Sequence, residues 1–221
     1  MIIARAGDSG REFKLVPPGL HLSRCYRVID LGTQLTVFQG KEKSNRKVLV
    51  QFEVYGEDDL GNPMVTDNGD PMVVGKNYTL SLNEMASLRK DLQSWRGREF
   101  TSEELKGFQL SNILDQWAMV SIIHTSGNDG KTYANITAVM PVPANVRKAG
   151  LPTGHNKPVI FSIDSPDMAL YESFSDGLKA KIAKSPEWSS RTSYAPRPAA
   201  QQTSRPAAAA VEFEEDDIPF S

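Results

Sequence analysis

Residues 47–55 form the most regular pattern in the chain, an alternation of side-chain types over nine positions. Successive side chains of a β-strand point to opposite faces, whereas a helix repeats about every 3.6 residues, so this stretch predicts a strand. The apolar face, expected in the core, comprises Val48, Val50, Phe52 and Val54. The other face, expected to be a mixed surface, comprises Lys47, Leu49, Gln51, Glu53 and Tyr55. This strand therefore requires partners in a sheet with a buried face.

Four further segments are rich in apolar and β-branched residues and are predicted to be strands: residues 20–36, 72–82, 117–125 and 131–140. Gly32 predicts a bulge or bend in the first, and Pro141 and Pro143 are expected to end the last. The core side of the last strand is expected to carry Ala134, Ile136, Ala138 and Met140. An acidic hairpin connection is expected at residues 56–71 and a tight turn at 127–130.

Helical structure is predicted between the third and fourth strands. Asn83 is the expected cap of a helix that runs to Trp95, with an apolar face formed by Met85, Leu88 and Leu92. Gly97 is expected to end this helix. A capping-box pattern at residues 101–104 predicts a short second helix that ends near residue 107.

Three strands, a helical segment and two strands follow one another in the order of the five-stranded OB barrel. We therefore predict a mainly β fold with an OB barrel over residues 18–143. Residues 144–188 are expected to add a C-terminal extension, with an edge strand at 157–163 and a helix over 164–184. That helix should pack on the barrel through four apolar residues spaced four apart: Leu170, Phe174, Leu178 and Ile182. Residues 189–221 are predicted to be a flexible linker followed by a disordered acidic tail.

The formal net charge is only −2, and it belongs to the C-terminal end. Residues 189–221 carry three arginines and five carboxylates, so the remaining chain is neutral. This balance excludes a uniformly basic nucleic-acid binder but allows a local basic groove. Cys25 is the only cysteine, which rules out an intrachain disulfide. With no signal-peptide pattern and no long apolar run, the chain is expected to be soluble and cytoplasmic.

The residue pattern offers no catalytic motif. The three histidines, His21, His124 and His155, lack the spacing of a catalytic triad or a zinc site. His21 and Cys25 share one face of a predicted strand, but two ligands make a poor metal site. We therefore expect no enzyme activity, no cofactor and no metal.

Single-stranded nucleic acid is bound by cations along its backbone and by aromatic rings on which bases stack. Four cations lie where the first loop of an OB barrel is expected: Lys41, Lys43, Arg46 and Lys47. The outward faces of two strands add Gln51, Tyr55, Lys131, Tyr133 and Asn135. The end of the first helix adds Trp95, Arg96 and Arg98. These twelve residues are the predicted contacts, although Trp95 fits the core equally well and a basic loop is often only solvated surface.

The last ten residues place five carboxylates before an apolar end. Such a segment cannot build a core, but an exposed Phe beside charges suits an apolar pocket ringed by cations. The segment at 216–220 resembles the acidic tip of bacterial single-stranded-DNA-binding proteins: Asp216, Asp217, Ile218, Pro219 and Phe220. In that family Phe is usually last, whereas Ser221 follows it here. The resemblance implies that replication and repair proteins dock on this tip.

Residues 18–143 also resemble phage-type OB-fold single-stranded-DNA-binding proteins. The likeness is carried by residues 50–55, 78–82, 88–98 and 133–143. It implies sequence-independent coating of DNA during replication, recombination or repair, and the host cytoplasm as location if a bacteriophage encodes the chain. Two alternatives stay open: a protein-interaction adaptor that binds no DNA, and an RNA-binding OB protein. The sequence does not determine whether the protein is a homo-oligomer.

Overall fold

The alternating stretch forms strand β2 (Lys41–Tyr55), and its four predicted core residues are at most 2% exposed. The computed structural model in which they lie describes residues 14–38, 41–127 and 129–192. Strand β2 pairs antiparallel with β1 (Gly19–Phe38) on one side and β3 (Val73–Thr79) on the other. The predicted core face of β2 is confirmed.

One sheet contains all six strands of the described residues, in the order β3-β2-β1-β4-β5. Strand β4 is Trp117–Ser126, β5 is Thr132–Met140, and β6 (Val159–Phe161) pairs with β1 in parallel. All other pairings are antiparallel. No pairing joins β3 to β5 in this part of the chain, so the sheet is not closed. The mainly β fold is confirmed, as is the order of three strands, a helical segment and two strands up to β5, but a closed barrel is not.

Strand β1 bends where the sequence predicts a bulge. Its pairing with β2 shifts register between Asp30 and Gly32, and Gly32 has a φ of 68°. A Cβ on Gly32 would lie 2.4 Å from the Cβ of Ser185. The left-handed backbone and the close approach both require glycine. Before the bend, residues 19–24 also pair with β4, so β1 serves both halves of the sheet.

Between β3 and β4 lie helices α1 (Ser87–Arg96) and α2 (Ser102–Lys106) and a 3-10 turn (Leu110–Ile113). The predicted start of α1 is wrong, because the amide of Ala86 bonds the Asn83 carbonyl in a separate turn before the helix. Met85 in that turn is 81% exposed, whereas the predicted core residues of α1 are buried: Leu88 and Leu92. The left-handed end at Gly97 and the capping box of α2 are confirmed.

Strand β5 does not keep the predicted faces along its whole length. Ser121 pairs with Ala138 but Ile122 pairs with Ile136, so Thr137 is an extra residue in β5. Such a bulge exchanges the two faces beyond it. Val139 is consequently buried in the core, whereas the predicted core residues beyond the bulge are only half-buried: Ala138 and Met140.

The C-terminal extension contains α3 (Ala144–Ala149), β6, α4 (Met168–Glu172), α5 (Asp176–Ala183) and α6 (Pro186–Thr192). The single helix predicted over 164–184 is wrong. The first helix, α4, ends at Ser173, whose hydroxyl donates to the Leu170 carbonyl, and a second helix, α5, follows. The four predicted apolar residues still pack on the sheet, in a second core built around Ile29, Leu31, Phe161 and Ile163. This core lies on the outward side of β1 and half-buries Leu49 of β2.

The predicted linker begins too early, because Ser189 lies within α6. Residues 193–221, which include the rest of the linker and the predicted docking tip, lie outside the described residues. In the described part of the chain, no helix is both long and apolar enough to cross a membrane.

Candidate nucleic-acid interface

The basic stretch at residues 41–47 is not a loop. It forms the first half of β2 and pairs with the end of β1, with Phe38 opposite Lys41 and Leu35 opposite Ser44. The connection between the strands is therefore confined to residues 39 and 40. An extended two-stranded arm, the β1–β2 hairpin, places Lys43 on an exposed surface. The side chain of Lys41 lies outside the described residues.

Two cations of this stretch are engaged within the fold. Arg46 pairs with Asp30 on β1 and, at 2.7 Å, with Asp164 after β6, and hydrogen bonding to both carboxylates raises its pKa. Lys47 donates from Nζ to Oγ1 of Thr79 on β3, at 2.8 Å. The positive charge of Arg46 is thus compensated by two carboxylates, whereas the hydrogen-bond partner of Lys47 is a neutral hydroxyl.

Lys47 and Gln51 face outward beside β3 in a surface that we call the β2–β3 face: Lys47, Gln51, Gly75, Asn77 and Thr79. Gly75 lies opposite Gln51, and a Cβ there would meet Cδ1 of Leu49 at 3.0 Å. The Leu49 and Gln51 side chains thus fill the space over Gly75, and the glycine allows their close approach.

Arg27 borders the β2–β3 face, and the sequence prediction missed it. Its Nη1 donates to Oε1 of Gln51 at 3.3 Å, and its guanidinium lies 5.7 Å from the Phe174 ring. Its buried Nε has no hydrogen-bond partner among the described residues. The register shift between Cys25 and Arg27 hid it, since alternation across a bulge does not predict which residues face outward.

Tyr55 is held inside a polar cluster and is not a free stacking platform. Its hydroxyl donates to Oε1 of Glu53 at 2.5 Å, and its ring centroid lies 5.1 Å from that of Trp117. Burial and the Glu53 hydrogen bond raise the pKa of Tyr55 to about 12. Because the ring is half-buried and packed on Trp117, little of its surface is left for a base to stack on.

Glu53, predicted on a mixed surface, is fully buried. It accepts from Nε of Arg24 at 2.7 Å and from the amides of His155 and Asn156 at 3.0 and 2.9 Å. Burial alone would raise the pKa of Glu53, but hydrogen bonds from Tyr55, Asn156 and Arg24 outweigh burial and lower it. The segment that carries His155 and Asn156 therefore covers this end of β2.

The β4–β5 hairpin carries three exposed predicted contacts. Tyr133 is 44% exposed, and its hydroxyl donates to Asp129 at 2.5 Å. A Cβ on Gly127 would lie 2.6 Å from Cε2 of Tyr133, so the ring lies directly over that glycine. Lys131 and Asn135 are exposed on the same hairpin.

Ile123 extends this surface on β4. It lies opposite Asn135 and is 44% exposed, and the Asn135 amide donates to Thr125 at 2.5 Å. We call the whole surface the hairpin face: Ile123, Thr125, Lys131, Tyr133 and Asn135. It combines an aromatic ring, a cation, an amide and an apolar side chain, the chemistry that single-strand binding requires.

The three predicted contacts at the end of α1 are tied to their surroundings. Trp95 donates from Nε1 to the Trp117 carbonyl at 2.8 Å, and its ring centroid lies 5.5 Å from that of Phe52. Arg96 and Arg98 both pair with Glu104. Hydrogen bonds from Arg98 and from the Thr101 backbone lower the pKa of Glu104 to about 2.

A cavity of about 320 Å³ opens beside Trp95. Its walls include three aromatic rings, two guanidiniums and a leucine: Trp95, Phe108, Trp117, Arg96, Arg147 and Leu151. Sequence reasoning missed Trp117 and Arg147. Trp117 is separated from Trp95 by α2 and the 3-10 turn, and Arg147 lies on a helix beyond the predicted barrel, so only the tertiary fold brings them together.

The predicted contacts therefore fall into separate groups. Trp117 begins β4, whereas Thr125, the partner of Tyr133, lies eight residues further along that strand. At roughly 3.3 Å per residue, Thr125 lies about 26 Å from Trp117 along the strand, and Ile123, the nearest residue of the hairpin face, lies about 20 Å from it. The hairpin face and the cavity are thus distinct surfaces.

Comparisons with known proteins do not assign a function to these surfaces. Neither a scan against models of protein families nor a search of curated proteins finds a match to this chain. The functional assignment consequently depends on the chemistry of the residues and on the connectivity of the strands.

Proposed function

We propose that this chain binds single-stranded DNA without sequence specificity, through an OB barrel that is partly open. The strand order β3-β2-β1-β4-β5, with helices between β3 and β4, supports this proposal because it is compatible with the connectivity of an OB fold. OB folds bind oligonucleotides through the face of strands two and three and the loops that join strands one to two and four to five. Here these elements are the β2–β3 face, the β1–β2 hairpin and the β4–β5 hairpin.

The hairpin face is the observation that carries the proposal. Tyr133 offers an exposed ring that rests on Gly127, so the ring is supported on one side and open on the other. Lys131 supplies a cation two residues away, and every base has a π-face that can stack. Stacking with backbone attraction binds all sequences alike, which suits a protein that coats exposed strands.

The acidic end of the chain supports a second part of the proposal, recruitment. Residues 216–220 combine two carboxylates with an aromatic anchor, and their likeness to the tip of bacterial single-stranded-DNA-binding proteins points to replication and repair proteins as partners. The barrel would hold the strand while the tip holds the enzyme.

A binding assay with three ligands tests the proposed ligand. Labelled oligo-dT, the matching duplex and oligo-U are titrated with the protein at two salt concentrations, and anisotropy is measured. We expect oligo-dT to bind more tightly than duplex, with a log–log salt slope of about −0.7 for each phosphate contact. Tighter binding of oligo-U would assign the surface to RNA.

One observation favours the adaptor alternative. Arg46, Arg96 and Arg98 are all paired with carboxylates, which leaves less positive charge than a strong nucleic-acid binder usually carries. An adaptor would show no anisotropy change with any of the three ligands at low salt and would still recruit proteins through residues 216–220.

A further inference from the structure

The cavity beside Trp95 has rigid aromatic walls. The Trp95 indole is fixed by its hydrogen bond to the Trp117 carbonyl, and the Trp117 ring is backed by Tyr55. Phe108 closes another side. Flat rings held in fixed positions are suited to stack on a planar aromatic group, because little side-chain freedom is lost on binding.

The cavity also carries guanidinium N–H groups that the fold leaves without an acceptor. Arg147 donates from Nε to the Val142 carbonyl at 2.9 Å, and its terminal Nη groups have no partner among the described residues. Arg96 is half-buried against Phe100 and Phe108 and pairs with Glu104 through Nη2, whereas its Nη1 lacks a hydrogen-bond partner in the described part of the chain. No described carboxylate lines the cavity. The Arg147 guanidinium and the free Nη1 of Arg96 favour an anion, and a phosphate accepts from Arg in two places.

The size and polarity of the cavity narrow the range of ligands that it could bind. A volume of about 320 Å³ lies at the lower end of the usual range for small-molecule sites, roughly 300–1,000 Å³. Asn112 and Gln116 add side-chain amides at the rim, each with a donor and an acceptor. An aromatic group whose edge presents both donors and acceptors can use them, whereas a phenyl ring cannot.

We propose that this cavity is a second site that binds one nucleotide, with the base against the tryptophans and the phosphate on Arg147 and Arg96. The site goes beyond the proposed strand-binding surface and lies about 20 Å along β4 from Ile123, the nearest residue of the hairpin face. Its ligand is either a free nucleotide or the 5′-phosphorylated end of a DNA strand. The acidic aromatic tip of this chain is the competing occupant, and the experiments below distinguish the two.

Nuclear magnetic resonance on the full chain tests the site. dTMP is titrated into ¹⁵N-labelled protein, and the indole N–H signals of the three tryptophans are followed. We expect the signals of Trp95 and Trp117 to shift while that of Trp188, which packs on Tyr171 in the second core, stays still. Thymidine, which lacks the phosphate, should bind at least tenfold more weakly, since it loses the charge-assisted bonds.

Two exposed residues of α3 provide a matched pair of variants. Arg147→Gln should weaken dTMP binding about tenfold or more, because it removes a charged donor from the cavity. Lys148→Gln removes the same charge from the next position, which does not line the cavity, and should leave dTMP binding unchanged. Tyr133→Ala should also leave it unchanged, which separates this site from the strand-binding surface.

Four results would each decide against the nucleotide site or refine it. No shift of either tryptophan at millimolar dTMP overturns it, as does an Arg147→Gln protein that binds dTMP like wild type. A synthetic Asp-Asp-Ile-Pro-Phe-Ser peptide that shifts the same two signals when dTMP does not would assign the cavity to the tip. If a 5′-phosphorylated oligo-dT depends on Arg147 more strongly than the unphosphorylated strand does, the strand end is the ligand; otherwise the free nucleotide is.

Discussion

At the scale of single residues, Glu53 shows both the reach and the limit of sequence patterns. Alternation places it correctly on the face of β2 that points away from the main core. It cannot show that His155 and Asn156, about 100 positions later, fold back over that face and donate their amides to the carboxylate. A buried Arg24–Glu53 pair results where the pattern alone indicates solvated surface.

Replacing Glu53 tests the cost of this cluster. Glu53→Gln leaves the buried Arg24 guanidinium with Asp115 as its remaining acidic partner, so the free energy of unfolding should fall by about 3 kcal/mol. Urea denaturation at pH 7 measures this loss. Glu84→Gln, a change at an exposed position, is the control and should stay within about 0.5 kcal/mol of wild type.

The same pair of proteins has a defined pH dependence. The pKa of Glu53 is lowered in the folded state, so its stabilising contribution is present above the ordinary carboxyl value of 4.5 and is lost as the pH falls below it. The difference in unfolding free energy between wild type and Glu53→Gln should therefore shrink on acidification from pH 6 to pH 3. A difference that grows over this interval would contradict the assigned ionisation.

At the scale of elements, strands with clear alternation were predicted well, and elements with local irregularities were not. The core face of β2 and the end of α1 at Gly97 follow from local chemistry. The bulge at Thr137 and the helix break at Ser173 interrupt the regular periods, and periodicity alone does not predict where such an interruption falls. Residues 41–47, predicted as a loop, lie in β2, because their backbone pairs with the end of β1 up to Phe38.

The C-terminal extension should contribute to stability as an element. Phe174 is 4% exposed and meets Phe161 edge-on, with ring centroids 5.2 Å apart. Phe174→Ala should cost about 3–5 kcal/mol of unfolding free energy through lost burial and a residual cavity. Met168→Ala, at a position that is 50% exposed, is the matched control. Equal denaturation midpoints for the two variants would show that the extension is not part of the cooperative fold.

At the scale of the whole molecule, we expect the acidic end to compete with DNA. Residues 211–221 carry five carboxylates. These carboxylates and the phosphates of DNA are both negative, so they compete for the same cationic surface. Deleting residues 211–221 should tighten oligo-dT binding at low salt and change it little at high salt, because the competition is screened. Equal tightening at both salt concentrations would point to a cause other than charge.

Recruitment is tested with a single side chain. Phe220→Ala should largely abolish capture of a replication or repair partner, since it removes the apolar anchor and leaves the charge. A variant made to end at Phe220 carries a terminal Phe carboxylate, as in the family that the tip resembles, and should strengthen capture. A pull-down in which Phe220→Ala captures the partner as well as wild type does would rule out docking through this anchor.

The most direct test of the strand-binding proposal is the affinity of Tyr133 variants for oligo-dT, measured by anisotropy in low salt. Tyr133→Ala should weaken binding by about 1–3 kcal/mol, because a stacking surface is lost. Tyr133→Phe keeps the ring and should bind like wild type, and both variants should unfold at nearly the wild-type temperature because the residue is 44% exposed. Wild-type affinity in Tyr133→Ala would contradict the proposal that the hairpin face holds the strand.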